Sequence, residues 1–336
     1  MKKVAVIILN WNGEKLLREF LPSVVANTNP SLADVIVADN GSTDSSRVVL
    51  AKEFPEVKVL KFSENLGFAE GYNRALRETG YPLTVLLNSD VETPAGWIEP
   101  LVEFMDAHGE AGGCQPKLLA YKQKDTFEYA GAAGGFIDRN GFPYCRGRIF
   151  STVEKDDGQY DSPCEIFWAT GACLMVRTEL YNRAGGLDKL FFAHMEEIDL
   201  CWRLNQMGFS LWCVPASKVY HLGGGSLPAS NPRKTYLNFR NNLLMLYKNL
   251  PEGDRRCTLI RRRLLDTVAW AKFMITFDFA NANAILKAHR DFRKMRAEYK
   301  PGQFPQPVRT NLLRNPRRPN ILLHYYLRGH RRFSQI

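Results

Sequence analysis

The chain of 336 residues has no apolar run long enough to cross a bilayer. Its best candidate, Leu264 to Ala280, is interrupted by Asp266, Lys272 and Asp278, whereas a spanning helix needs roughly 20 apolar residues. No signal peptide is expected, because Met1-Lys2-Lys3 runs straight into the short apolar stretch Val4–Leu9 without a small-residue cleavage site. The cysteines are seven (114, 145, 164, 173, 201, 213 and 257) and include no C-x-x-C pair. An odd number without that spacing points to reduced thiols in a cytoplasmic protein, not to a zinc site or a disulfide framework. No internal repeat is present, and no recognised nucleic-acid-binding module accompanies the positive charge.

What is present is a folded-protein composition, 45% hydrophobic and 24% charged, with length for one large or two medium domains. The formal net charge of +10 is unevenly spread. From Asn231 onward there are 23 Lys/Arg against 6 Asp/Glu, while residues 1–230 hold 22 against 29. An acidic body with a basic tail predicts an anionic partner for the tail. Asn231-Pro232 marks the boundary between the two.

Short apolar strands alternate with helical patterns through the first 110 residues. Strands are predicted at 4–9, 34–39, 57–60 and 83–87, with helices through about Ala26, over about 45–54, and after Asn65. This alternation is the signature of a mostly parallel α/β sheet whose ligands lie at the carboxyl edge of its strands. The stretch Leu86-Leu87-Asn88-Ser89-Asp90-Val91-Glu92 is a buried strand ending abruptly in polar residues, which sets Asp90 at that edge. From 110 to 175 the pattern is less regular, and Gly131–Gly135 and Asn140–Pro143 predict hairpins or a mobile loop. Phe167–Val176 is expected to return to the sheet. A helix over 196–207, strands at 211–214 and 219–221, and helical patterns over 235–248 and 254–296 complete the reading.

Asn10-Trp11-Asn12-Gly13, Asp39-Asn40-Gly41-Ser42-Thr43-Asp44, Asn65-Leu66-Gly67-Phe68, Asn88-Ser89-Asp90, Gly185-Gly186-Leu187-Asp188 and Glu196-Glu197-Ile198-Asp199 occur in this order. The ordered set resembles the large inverting glycosyltransferase family two, of GT-A fold. Within it, the chain is most similar to bacterial rhamnosyltransferase-type enzymes of polysaccharide assembly. The resemblance covers residues 3–250. It implies a GT-A catalytic domain over 1–230, with a nucleotide-sugar half (1–110) and an acceptor half (111–230), and a basic, mainly helical extension over 231–336.

The resemblance also implies roles for single residues. Asn10 and Asn12 line the base and ribose pocket, with Glu14 nearby. Asp39 accepts from a nucleobase imide N–H, or alternatively caps the following helix. Asn65, Gly67 and Asn73 sit near the ribose and diphosphate, where glycine lets backbone approach and a helix N-terminus favours anionic oxygens. Asn88-Ser89-Asp90 stands at the family's Asp-x-Asp position with Asn first; Asn88, at the place of the ribose contact, and Ser89 are expected to bind the nucleotide-sugar, and Asp90 with His221 to hold Mg²⁺ or Mn²⁺ against the diphosphate through oxygen and nitrogen donors. Glu197 is the expected general base, Glu196 its rival, and Asp199 orients the site together with Arg203. Trp168, Gly171, Ala172 and His194 are expected to face the acceptor, beside Phe191 and Phe192.

The Gln-x-x-Arg-Trp motif of processive synthases is missing; Leu200-Cys201-Trp202-Arg203 stands there, so transfer of a single sugar is expected. The donor is a dTDP-, UDP- or GDP-sugar, and the acceptor a glycan or lipid-linked glycan. The basic tail suits an anionic membrane at its cytoplasmic face and not nucleic acid. Two rival readings are a sugar-nucleotidyl transferase and a non-catalytic sugar- or lipid-binding module. Residues 10–20 carry no glycine-rich basic triphosphate loop, which disfavours the first. Asp39, Asp90 and Glu197 disfavour the second.

Overall fold

A computed structural model describes residues 2–223, 231–299 and 318–336. The chain opens with β1 (Val4–Asn10), α1 (Glu14–Asn27), β2 (Ala33–Asp39), α2 (Ser46–Glu53), β3 (Lys58–Lys61), α3 (Gly67–Thr79) and β4 (Leu83–Leu87). β1 and β4 are almost wholly apolar and buried, as strands covered on both faces must be. α3 stops at Gly80, whose φ of 68° gives the left-handed C-terminal turn that glycine adopts without penalty.

β5 (Val91–Glu92), α4 (Glu99–Ala107), β6 (Ala111–Ala120) and β7 (Gln123–Phe127) follow. The irregular region then supplies β8 (Gly135–Ile137), β9 (Pro143–Cys145), β10 (Arg148–Ile149), β11 (Thr152–Val153) and β12 (Cys164–Ile166). β13 (Cys173–Arg177), α5 (Thr178–Arg183), α6 (Glu196–Gln206) and β14 (Ser210–His221) complete the sheet region, before α7 (Pro232–Asn249), α8 (Glu252–Ile275) and α9 (Phe279–Met295).

The main sheet has ten strands, with the central path β12-β14-β6-β13-β4-β1-β2-β3. β4, β1, β2 and β3 run parallel, and β13 returns antiparallel between β4 and β6. This is the mixed, mostly parallel α/β sheet of a GT-A fold. Register decides the site. Asn10 pairs with Asp39 and Ile8 with Leu87, so the loops after β1, β2 and β4 emerge along one edge.

The two short strands expected at 211–214 and 219–221 form the single β14, which shifts register between Val214 and Lys218 around Pro215-Ala216. The glycine-rich region forms hairpins in a second sheet of four strands, β11-β10-β9-β8. Residues 318–336 pack on that sheet, with Ile321 and Tyr325 buried against Tyr144 and Ile149. The helical pattern over 254–296 breaks into α8 and α9 at Thr276–Asp278, where Phe277 takes φ 58° and Asp278 caps α9 by accepting from Asn281 N–H. Leu243, Leu244, Met245 and Leu246 of α7 share a buried cluster with Leu86, Ile198 and Leu200. The basic extension therefore begins inside the same core as the sheet.

Candidate active site

The turn after β1 is locked to the turn after β2 by side chains. Asn10 Nδ2 donates to Asp39 Oδ1 at 3.3 Å and to Ser42 Oγ at 3.2 Å. Thr43 N–H donates to Asn12 Oδ1 at 2.8 Å, and Asn12 itself takes φ 50°. Asp39 is fully buried and pairs with Arg47 at 2.5 Å. It is not a helix cap: α2 starts at Ser46, whose N–H is taken by Asp44 Oδ1 at 3.0 Å. Glu14 begins α1 and turns its carboxylate to Arg18. Asn65 accepts from Gly67 N–H at 2.8 Å and from Asn40 Nδ2 at 3.0 Å, ordering the start of α3. Asn73 departs from its expected place beside the ribose and diphosphate. Its amide is buried, donating to Leu187 O at 2.8 Å and accepting from Leu187 N–H at 2.9 Å and the Tyr181 hydroxyl at 2.6 Å.

Asp90 and His221 come together because β5 pairs antiparallel with β14, setting Val91 opposite His221. Leu222 N–H donates to Asp90 O at 3.0 Å, and His221 Nε2 lies 3.1 Å from Asp90 Oδ1. Asn88 Nδ2 is 3.5 Å from the same ring nitrogen, while Ser89 is half-buried beside them. Glu128, which no local pattern in the sequence singles out, lies 3.4 Å from His221 Nδ1. Burial alone would push the His221 imidazole down; Asp90 and Glu128 outweigh it and raise it to about 10. The glycines that follow His221, from Gly224, lie outside the described residues.

Among the described residues, no group of three or more His, Cys, Asp or Glu forms a ready-made metal cage. The residues fit an open divalent site, however: a carboxylate oxygen and an imidazole nitrogen converge on one point at the strand edge, leaving positions for phosphate oxygens, and a cation there would take the place of the proton that Asp90 and Glu128 hold on His221.

Glu197 reaches the same edge from α6. Asn88 N–H donates to Ala172 O at 3.0 Å, joining the Asp90 loop to the entry of β13. A Cβ on the neighbouring Gly171 would sit 3.6 Å from Glu197 Cβ, which places Glu197 against that entry. Glu196 Oε2, Glu197 Oε2 and His194 Nε2 are all shielded from solvent without a hydrogen-bond partner. Burial raises both glutamates, Glu197 to about 7, and the nearby Glu197 charge adds to the rise at Glu196. Burial lowers the His194 imidazole to about 4, and Lys234 adds to this.

Asp199 differs from its two neighbours. It is fully buried, with Arg203 Nη2 at 2.7 Å, Lys248 Nζ at 2.9 Å and Asn249 Nδ2 at 2.7 Å. With both oxygens occupied it is no proton acceptor for a substrate. Trp168 and Ala172, expected to face the acceptor, are each 3% exposed. The Trp168 indole donates to Phe136 O at 2.9 Å, and its ring fills the space where a side chain on Gly135 would stand. It is a core residue, because its size and the glycine opposite it make a close-packed pair. Phe191 is likewise buried, while Phe192 is half exposed beside Gly67.

The loop that carries Glu196 and Glu197 is unusual. Phe192, His194 and Met195 have φ of 66°, 69° and 74°, a region that costs most residues energy. Asn241 of α7 holds it, with Nδ2 2.9, 2.8 and 2.7 Å from the carbonyl oxygens of Phe191, Ala193 and His194. Neither Asn241 nor Lys248 was expected in the site; the Asn241-Asn242 pair inside a helical pattern was the one signal, since asparagine is a poor helix former.

A protein of Mycobacterium tuberculosis named N-acetylglucosaminyl-diphospho-decaprenol L-rhamnosyltransferase is 26% identical over 234 residues, covering 64% of this chain and 75% of its own. The O-antigen biosynthesis protein RfbC of Myxococcus xanthus is 24% identical over 65% of this chain, which spans only 17% of that longer protein. Among solved structures, GalNAc-T7 with UDP, GalNAc and Mn²⁺ superposes with a TM-score of 0.58 at 17% identity, covering 74% of this chain and about half (48%) of that one. The mannosyltransferase PcManGT of Pyrobaculum calidifontis, with GDP-Man and Mn²⁺, gives 0.53 at 15% identity over 88% and 84% of the two chains. Residues 5–183, more than half of the chain and including both Asp39 and Asp90, match the family described as Glycosyl transferase family 2, and the protein belongs to that family.

Proposed function

We propose that the protein is a metal-dependent, inverting transferase that moves one sugar from a nucleotide-diphospho-sugar to a hydroxyl of a glycan or lipid-linked acceptor. One juxtaposition carries this reading. The Asn88–Ala172 hydrogen bond, with Glu197 next to Gly171, brings a carboxylate that has one unpartnered oxygen and the Asp90–His221 pair to one sheet edge. Asn10, whose Oδ1 is buried without a hydrogen-bond partner, takes the nucleoside side with Asp39, which would exchange one of its present partners, Asn10, Ser42 or Arg47, for the imide-type N–H of a base: uracil, thymine or guanine. Asn12, Glu14 and the Asn65–Gly67 turn flank that side. Asp90 and His221 would hold Mg²⁺ or Mn²⁺, which when bound would supply the positive charge that a departing diphosphate requires.

Glu197 accepts the proton of the acceptor hydroxyl. That oxygen then bonds to the anomeric carbon as the carbon–oxygen bond to the diphosphate breaks, and the electron pair leaves with the nucleoside diphosphate. A carboxyl with one oxygen unpartnered and raised toward neutrality by burial is suited to this work. Asp199 and Asn73 serve as positioning residues. Rhamnose is the proposed sugar, on the name of the mycobacterial relative. The name of that relative also favours a lipid-linked acceptor and hence work at the cytoplasmic membrane face.

The test is donor binding: titration with UDP, dTDP and GDP, each with and without Mn²⁺, alongside Asp90→Ala. Metal-dependent binding of one nucleotide, lost in the variant, is expected. Failure of all three with metal present would overturn the reading.

A further inference from the structure

Helix α8 is amphipathic in the wrong sense for a helix packed on a core. Of its 24 residues, the buried ones are Thr258, Arg262 and Asp266. Arg262 pairs with Asp266 at 3.1 Å, and His289 of α9 reaches the same carboxylate at 3.0 Å. The opposite face is apolar and open: Ile260, Leu264, Val268 and Ile275 are 53%, 65%, 68% and 76% exposed. At 3.6 residues per turn these positions form a single stripe along a helix ~36 Å long. The stripe continues into the α8–α9 turn, where Phe277 is 80% exposed and stands edge-on to the exposed ring of Phe279.

Both margins of the stripe are basic beyond their first turn, which holds Glu252 and Asp254. Arg261 and Lys272 fall on one side, Arg256 and Arg263 on the other, and all four are exposed. Beside Arg263, between α8 and α9, lies a groove of about 390 Å³. Arg263, Arg290, Arg293, Trp270, Leu286 and His289 contribute to its walls. Over residues 252–299 there are 11 Lys/Arg against 6 Asp/Glu. No helix among the described residues is long and apolar enough to cross a membrane, so the stripe is not a span.

Charge decides what covers this face. Two copies laid stripe to stripe would oppose basic margin to basic margin, which is repulsive in either direction. An anionic bilayer surface meets both demands: acyl chains take the apolar stripe, headgroup phosphates take the flanking arginines, and the long basic side chains extend from the margins to them. We propose that the exposed face of α8, with the arginine groove beside it, docks on the anionic headgroup layer of a membrane, one headgroup phosphate entering the groove lined by Arg263, Arg290 and Arg293. This inference rests on the proposed reading of a membrane-facing transferase and names the surface that makes the contact.

Sedimentation with vesicles tests it, using phosphatidylcholine alone and phosphatidylcholine with an equal part of phosphatidylglycerol. The full chain is expected to sediment with the anionic vesicles only, and less so as salt is raised. A Leu264→Glu/Val268→Glu variant is expected to stay in solution. Arg263→Gln, Arg290→Gln and Arg293→Gln are each expected to weaken partitioning roughly fivefold. All these positions are on the open face or the groove rim, and donor-nucleotide binding, measured on the same preparations, is expected to be unchanged. Loss of vesicle binding with intact nucleotide binding supports the surface; absence of nucleotide binding in the wild type strikes the proposed function instead. Equal sedimentation of wild type and variants would overturn the inference. So would a wild-type chain that ignores anionic vesicles, or one that self-associates through the stripe or binds nucleic acid in their place.

Discussion

Lys248 of α7 places its ammonium 2.9 Å from Asp199 Oδ2 and 2.8 Å from Asp188 Oδ2. It thereby ties the helix of Glu197 and the Gly-Gly-Leu-Asp turn to a helix from the basic extension. Asp199 is fully buried with two cations, so Asp199→Ala leaves both without their shared anion. A loss of about 3–5 kcal/mol is expected, measured as a lower urea midpoint with unchanged slope. An undiminished midpoint would show that the network carries no stability.

Glu197→Gln is expected to cut turnover by about 10²–10⁴ while leaving donor binding intact. Because burial raises the Glu197 carboxyl to about 7, the wild-type kcat/KM is expected to climb as pH rises through neutrality and then level off. The base works only as the carboxylate. A rising limb nearer pH 4–5, the ordinary range of a carboxyl, would assign the proton transfer to another group.

Glu196 is raised well above its ordinary 4.5 by burial and by the Glu197 charge. The folded chain therefore keeps a proton that the unfolded chain releases. Stability from this group is complete below pH 4.5 and is lost as pH rises through the folded value. Glu196→Gln cannot ionise, so its thermal midpoint relative to wild type is expected to increase between about pH 5 and about pH 8. A constant difference would mean that Glu196 titrates as it does in the unfolded chain.

Asn241→Ala removes three amide–carbonyl contacts from a loop held at positive φ. The carboxylates that follow the loop then lose their fixed position. Lower kcat with unchanged donor affinity is expected, and the pH limb assigned to Glu197 is expected to shift with it. A purely structural role would lower stability and leave that limb in place.

Trp168 offers the sharpest contrast between an acceptor platform and a core residue. Trp168→Ala is expected to cost about 3–5 kcal/mol, with the acceptor KM of the folded fraction unaltered. A raised KM at unchanged stability would return Trp168 to the acceptor site.

The strand edge carrying the site is legible from local pattern: apolar runs ending in Asn10, Asp39 and Asp90 could only be buried strands giving way to polar turns. Glu197 is singled out through the resemblance alone, since by local pattern Glu196-Glu197 reads as an exposed acidic pair at a helix start. Asn73 and Trp168 misled because their types suit both ligand binding and packing. What separates the two is the neighbour across the fold, the main chain of Leu187 for one and the bare Gly135 for the other.

Sequence alone determined the mostly parallel α/β order, the ends of its strands and the basic character of the tail, because each depends on residues within a few positions of one another. Tertiary structure decided the rest. Glu128 joins His221, Lys248 joins Asp199 and Asn241 joins the Phe191–His194 loop across separations that no local periodicity encodes. The outward apolar face of α8 belongs to the same class. Its pattern reads as amphipathic in either setting, and only the packing of Arg262 and Asp266 inward shows which side is left for a partner.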